Sequence, residues 1–82
     1  MTIAILGYGR FGRALGQLLT QFGQSYRAYD PHAEIPSEYA AESPEAAVAG
    51  ADWVILAMPV PRMEASLKAL RPFLHAGQTV LD

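Results

Sequence analysis

The 82 residues contain no cysteine, which removes disulfide frameworks and thiolate metal sites at once. Histidine occurs only twice, at His32 and His75, too few and too far apart to build a metal centre. Charge is sparse as well. Six Lys and Arg stand against eight Asp and Glu, for a net charge of −2. That balance offers no basic face for nucleic acid or for an anionic membrane surface. No apolar run approaches the roughly 20 residues needed to cross a bilayer. The opening Met1-Thr2-Ile3 carries no basic leader or cleavage site, so a cytoplasmic location is expected. No serine or carboxylate pair is placed for hydrolytic chemistry. What remains is 51% hydrophobic and 17% charged, the composition of one globular domain.

Periodicity divides the chain into alternating elements. Thr2 to Leu6 is a short β-branched and aliphatic run that suits a strand buried on both faces. From Arg10 the period changes: Phe11, Ala14, Leu15, Leu18, Leu19 and Phe22 recur as on a helix burying one face. Gly23 ends it, and Ser25 to Tyr29 is the second strand, stopped by Asp30-Pro31. Between His32 and Ser37 the chain has room for at most one helical turn, followed by a short edge strand over Glu38 to Ala41. Ser43-Pro44-Glu45 starts a helix with a hydroxyl cap, a proline at the first position and an acid in the positive first turn. That helix ends at Gly50. Trp53 to Met58 reads as a central strand broken by Pro59 and Pro61. Met63, Leu67, Leu70 and Phe73/Leu74 mark another helix, bent or ended by Pro72. Gly77 turns the chain into a last strand from Gln78. Strands alternating with helices predict an α/β fold, a Rossmann-type doubly wound parallel sheet of which this is the first half. The expected spatial order is third, second, first, fourth, fifth strand.

The turn after the first strand carries the chemistry. Gly7, Gly9 and Gly12 stand in G-Y-G-R-F-G, between a strand and a helix. Gly7 permits the tight turn, Gly9 lets a pyrophosphate approach the backbone, and Gly12 lets the helix pack on the sheet. The unpaired amides of the helix start then face the phosphates. Asp30 follows about 20 residues on, at the end of the second strand, where a carboxylate can accept from a ribose diol. The alternative is a merely compact glycine turn with a locally capping aspartate. Arg10 and Arg13 flank the turn, either touching an anion or solvated. Ala57-Met58-Pro59 sits at the carboxyl end of a strand, where open α/β sheets bind ligands. His32 and His75 are expected at the surface. Trp53 and the tyrosines are expected in packing rather than under bases.

The runs I-L-G-Y-G-R-F-G-R-A-L, A-Y-D-P, G-A-D-W-V-I-L-A-M-P-V and L-R-P-F-L-H-A-G-Q-T-V-L-D resemble the amino-terminal nucleotide-binding half of prephenate and arogenate dehydrogenases. The likeness covers nearly the whole chain. The first two runs are shared with many dehydrogenases, including 2-hydroxy-acid and 6-phosphogluconate types; the last two narrow it. The resemblance implies NAD(P)-dependent oxidative decarboxylation of prephenate or arogenate in tyrosine biosynthesis. By matching positions, the resemblance implies that Gly7, Gly9, Gly12, Asp30 and the Ala57, Met58 and Pro59 turn line the cofactor; with the adjoining Tyr8, Arg10, Phe11 and Pro31 these make up the expected cofactor-binding set. The family's catalytic histidine, a serine after the final strand and a helical dimerisation and substrate domain would lie beyond Asp82. Residues 1–82 are therefore expected to be the amino-terminal dinucleotide-binding domain of a longer enzyme, without turnover of their own. Asp30 favours NAD over NADP. The expected partner is the dinucleotide, with no nucleic acid and no membrane, and a homodimer stands open. The competing readings are a stand-alone nucleotide-binding or sensing module, or the cofactor domain of another NAD(P)-dependent dehydrogenase such as a 2-hydroxy-acid or 6-phosphogluconate type.

Overall fold

The computed structural model describes residues 1–82. Along the chain run β1 (Ile3–Leu6), α1 (Arg10–Gln21), β2 (Tyr26–Tyr29), α2 (Pro44–Val48), β3 (Trp53–Leu56), α3 (Val60–Leu70), a 3-10 turn over Arg71–Phe73, and β4 (Thr79–Leu81). The four strands form one sheet in the order β2-β1-β3-β4, every pair parallel. This is the α/β arrangement expected from the alternation of periods. The expected edge strand over Glu38 to Ala41 shrinks to a single parallel bridge between Ala28 and Ala40. Pro36 explains the shortening. Its carbonyl accepts from the amides of both Tyr39 and Ala40, and the Tyr39 amide is the donor that the next rung of the ladder would need.

Both faces of the central strand are buried, as parallel sheets require. Ile3 and Ile5 face α1, where Leu15 and Leu19 cover them together with Tyr8, Tyr26 and Ala28. Ala4 and Leu6 face the other way, against Ala47, Val48, Val54, Leu56 and Leu70 from α2, β3 and α3. Ile5, Val48 and Val54 are fully buried, each contributing about 1.5–3 kcal/mol relative to exposure.

The inward face of α1 is the expected one only in part: Gly12, Leu15 and Leu19 turn inward, while Phe11, Ala14, Leu18 and Phe22 do not. Gly12 and Gly16 are buried in it, with Leu15 and Leu19 beside them. Phe11, Leu18 and Phe22 point away and are 64%, 49% and 74% exposed. Two glycines let the helix axis come close to the sheet, and that approach decides which stripe turns inward.

The later elements follow their local signals. Ser43 Oγ accepts from the Ala46 amide at 3.0 Å and caps α2, with Pro44 and Glu45 in its first turn. Pro72 lies inside the 3-10 turn that takes over when α3 ends at Leu70. Gln78 Nε2 donates to the carbonyls of Val48 and Ala51, 2.9 Å each, and so satisfies the chain leaving α2.

Candidate functional site

At the carboxyl end of β1 the chain makes its glycine turn, and β2 pins that turn at two successive residues. The Gly7 amide donates to the Tyr29 carbonyl at 2.9 Å. The Tyr8 amide donates to Asp30 Oδ2 at 2.7 Å. On the α1 side the Tyr8 ring is buried, and its hydroxyl meets that of Tyr26 at 2.9 Å. Tyr26 also stacks on Tyr39, their ring centroids 4.3 Å apart. Burial first, then the bond to Tyr8, pushes the Tyr26 hydroxyl well above the ordinary tyrosine value. The tyrosines here are packing groups, as expected.

Each glycine of the motif has its own reason. Gly7 has φ +101°, and a Cβ there would overlap the Ala57 carbonyl. A Cβ on Gly12 would overlap the carbonyl of Gly7, so the helix could not lie against the turn. Gly9 is different. As the N-cap of α1 its φ is −78°, outside the left-handed range that only glycine enters freely, and no atom lies within 4 Å of where its Cβ would be. The protein's own packing gives no reason for a glycine at this position.

Gly9 opens onto a cavity of about 370 Å³ at the carboxyl ends of β1, β2 and β3. Of the residues singled out in the sequence, Gly7, Gly9, Asp30, Pro31, Ala57, Met58 and Pro59 all line it. The rest lie elsewhere. Gly12 is buried beneath the turn, Tyr8 is absent from the wall with its amide bound to Asp30 and its ring buried on the α1 side, and Arg10 and Phe11 are exposed outside the cavity wall. The α1 start carries no side-chain cap and no acid in its first turn, in contrast to α2. Its first amides therefore have no side-chain acceptor of their own, and a helix start in that condition favours an anion.

Further wall residues come from elements that sequence reasoning did not connect to the turn. Pro44 and Glu45 open α2, while Arg62, Ser66 and Ala69 lie along α3. Ser66 Oγ donates to Met58 Sδ at 3.3 Å, tying the turn after β3 to the helix behind it. No spacing rule links residues 45 and 62 to a motif at residue 7; only the parallel sheet brings them together. Arg27, three residues before Asp30, donates instead to the Ala49 carbonyl and is absent from the wall. His32 and His75 are exposed, as expected.

With this geometry in place, the chain can be set beside known proteins. The model of a family described as NADP oxidoreductase coenzyme F420-dependent matches residues 2–82. The NAD(P)+ glycerol-3-phosphate dehydrogenase 2 of Mycobacterium bovis is 28% identical over 101 aligned positions, covering 99% of this chain and 30% of its own length. The chain thus spans about 30% of the length of the curated relatives it matches. Among solved structures, an imine reductase from Streptomyces aurantiacus superposes with a TM-score of 0.77 at 19% identity, over 98% of this chain and 30% of that one. An NAD-complexed D-isomer specific 2-hydroxyacid dehydrogenase from Lactobacillus delbrueckii ssp. bulgaricus gives 0.70 at 22%, over 98% and 26%. The fold is the Rossmann-type one, and what these proteins share with the resemblance seen in the sequence is the NAD(P)-binding domain of a dehydrogenase. None of them is a prephenate or arogenate dehydrogenase.

Proposed function

The chain belongs to the family described as NADP oxidoreductase coenzyme F420-dependent, and from that premise we propose that it binds NAD as the cofactor domain of a dehydrogenase. Gly9 carries the reading. A compact turn for its own sake accounts for Gly7 and Gly12, whose Cβ atoms would strike backbone. It does not account for a glycine with an ordinary φ facing an open cavity. A ligand whose phosphates approach the backbone there does. When bound, the dinucleotide supplies a hydride acceptor; this chain's residues supply holding and orientation.

The family description names NADP, yet the wall of this cavity argues for NAD. Asp30 and Glu45 set two carboxylates against the single guanidinium of Arg62. A 2′-phosphate would bring further negative charge into that wall, in a partly desolvated site. Arg27 is engaged with Ala49 and does not compensate. We expect NAD to bind at least about tenfold tighter than NADP, or ~1.4 kcal/mol. Calorimetric titration of both at neutral pH checks this, with equal affinities or tighter NADP removing the preference and no binding of either removing the assignment.

The substrate reading is finer. The Ala57-Met58-Pro59-Val60 run and the ending from Leu70 to Asp82 support prephenate or arogenate for the enzyme that carries this domain. In that longer enzyme, NADH formation from prephenate or arogenate and not from glycerol 3-phosphate is the expected outcome; the reverse assigns it to its curated relatives' chemistry.

A further inference from the structure

We propose that Asp30 is chiefly the positioning residue of the glycine turn, holding Gly7-Tyr8-Gly9 in its phosphate-accepting shape, and only secondarily a reader of the ribose. The inference rests on the cofactor-binding reading and deepens it. Asp30 Oδ2 accepts from the Tyr8 amide at 2.7 Å, across 22 residues of chain. Oδ1 accepts from the amides of His32 at 2.8 Å and Ala33 at 3.2 Å. A carboxylate offers about four lone-pair positions, so three are already taken by backbone. A ribose diol, which would present two hydroxyls, finds one.

The donor matters as much as the count. Tyr8 lies between the first two glycines, where the backbone has most freedom to leave its conformation. Its amide points into β2 because Asp30 is there to receive it, and the neighbouring Gly7 amide is held the same way by the Tyr29 carbonyl. The two bonds close the turn against the end of β2, and that fixes where Gly9 meets the cavity. An asparagine cannot replace the carboxylate. It has one acceptor oxygen, so its NH2 group would face either the Tyr8 amide or the His32 and Ala33 pair, donor against donor.

The test uses the 82-residue chain, ADP and 2′,3′-dideoxy-ADP. A group that only reads the diol affects ADP alone; a group that shapes the turn affects both nucleotides equally. In Asp30→Asn we expect both to weaken by a similar factor of at least about tenfold, and the Tyr8 amide of the nucleotide-free protein to exchange at least as much faster. A penalty confined to ADP, or Tyr8 exchange unchanged by the substitution, overturns the proposal. Wild-type chain that binds neither nucleotide would remove the cofactor reading, while Tyr8 exchange still decides the role of Asp30. If the variant does not fold, the wild-type protein answers alone. The Tyr8 amide resonance should then shift with the same midpoint as the Asp30 carboxyl carbon, and independent midpoints would refute the contact.

Discussion

Adding one methyl group separates the glycines of α1 and its turn by what they do. At Gly12 the methyl has nowhere to go but into the Gly7 carbonyl, so Gly12→Ala should lower stability by about 1–3 kcal/mol or more. At Gly16 it would sit 2.5 Å from the Tyr26 hydroxyl and 2.7 Å from the ring carbon bearing it. Tyr26 is buried and bonded to Tyr8, and Gly16→Ala should cost about as much. At Gly9 the methyl enters open space. Gly9→Ala should keep chemical-denaturation stability within about 1 kcal/mol while weakening NAD at least about tenfold; a variant that binds NAD normally would show that nothing approaches the backbone there. Asp30 adds a pH dependence of known sign. Burial opposes its ionisation, but the amides of Tyr8, His32 and Ala33 and the charge of His32 outweigh that and hold the carboxyl below its ordinary 3.8. A carboxyl held lower when folded stabilises the fold above the unfolded value and loses that contribution as pH falls through the folded one. Urea titrations below about pH 4 should therefore show wild-type stability falling more steeply than that of Asp30→Asn. Glu45 and Arg62 share the cavity wall with Asp30 and remain in both proteins, so the difference isolates position 30.

Elements with local causes are the ones a sequence states plainly. Ser43 caps α2 through the Ala46 amide, so Ser43→Ala should cost about 1 kcal/mol, measurable as a lower urea midpoint with an unchanged slope. That start is legible because the cap, the proline and the acid lie within three neighbouring positions. The glycine turn is legible for the same reason, with its strand before and helix after. The orientation of α1 is not. Leu15 and Leu19 alternate with Phe11, Leu18 and Phe22 in one continuous apolar pattern, and a period alone does not say which stripe meets the sheet. The answer lies in Gly12 and Gly16, which have no side chain to count as hydrophobic yet let the helix come closest. The expected edge strand over Glu38 to Ala41 shortens to one bridge for a neighbouring reason, since Pro36 takes the Tyr39 amide, which looks available in the sequence. At the site, Asp30 is legible by its position, but its three amide partners are not, because a turn's donors are chosen by conformation. Glu45, Arg62 and Ser66 reach the cavity only through the crossovers.

At the scale of the whole molecule, the two faces of the sheet are covered unequally. α2 and α3 cover one face across β1 and β3. On the other face α1 covers β1 and β2, while β3 and β4 present their α1-facing residues with no helix of this chain above them. The register places Trp53 and Ile55 of β3 and Leu81 of β4 on that side, since Leu81 pairs with Ile55. Trp53 is 36% and Leu81 39% exposed, next to an α1 whose outer stripe shows Phe11, Leu18 and Phe22. β4 is also an edge, with all three of its residues exposed. A parallel sheet with one apolar face open and one edge unpaired is a surface that seeks cover. We propose that in isolation the 82-residue chain finds it in a second copy of itself. Sedimentation velocity should show mass rising with concentration, and replacing Leu18 and Phe22 together by glutamine should shift the chain toward monomer without lowering its urea midpoint, because neither side chain is buried. A wild-type chain that stays monomeric at every concentration would overturn this, and melting above about 65 °C, the upper end for ordinary mesophilic domains, would add that this face is stable in water as it stands.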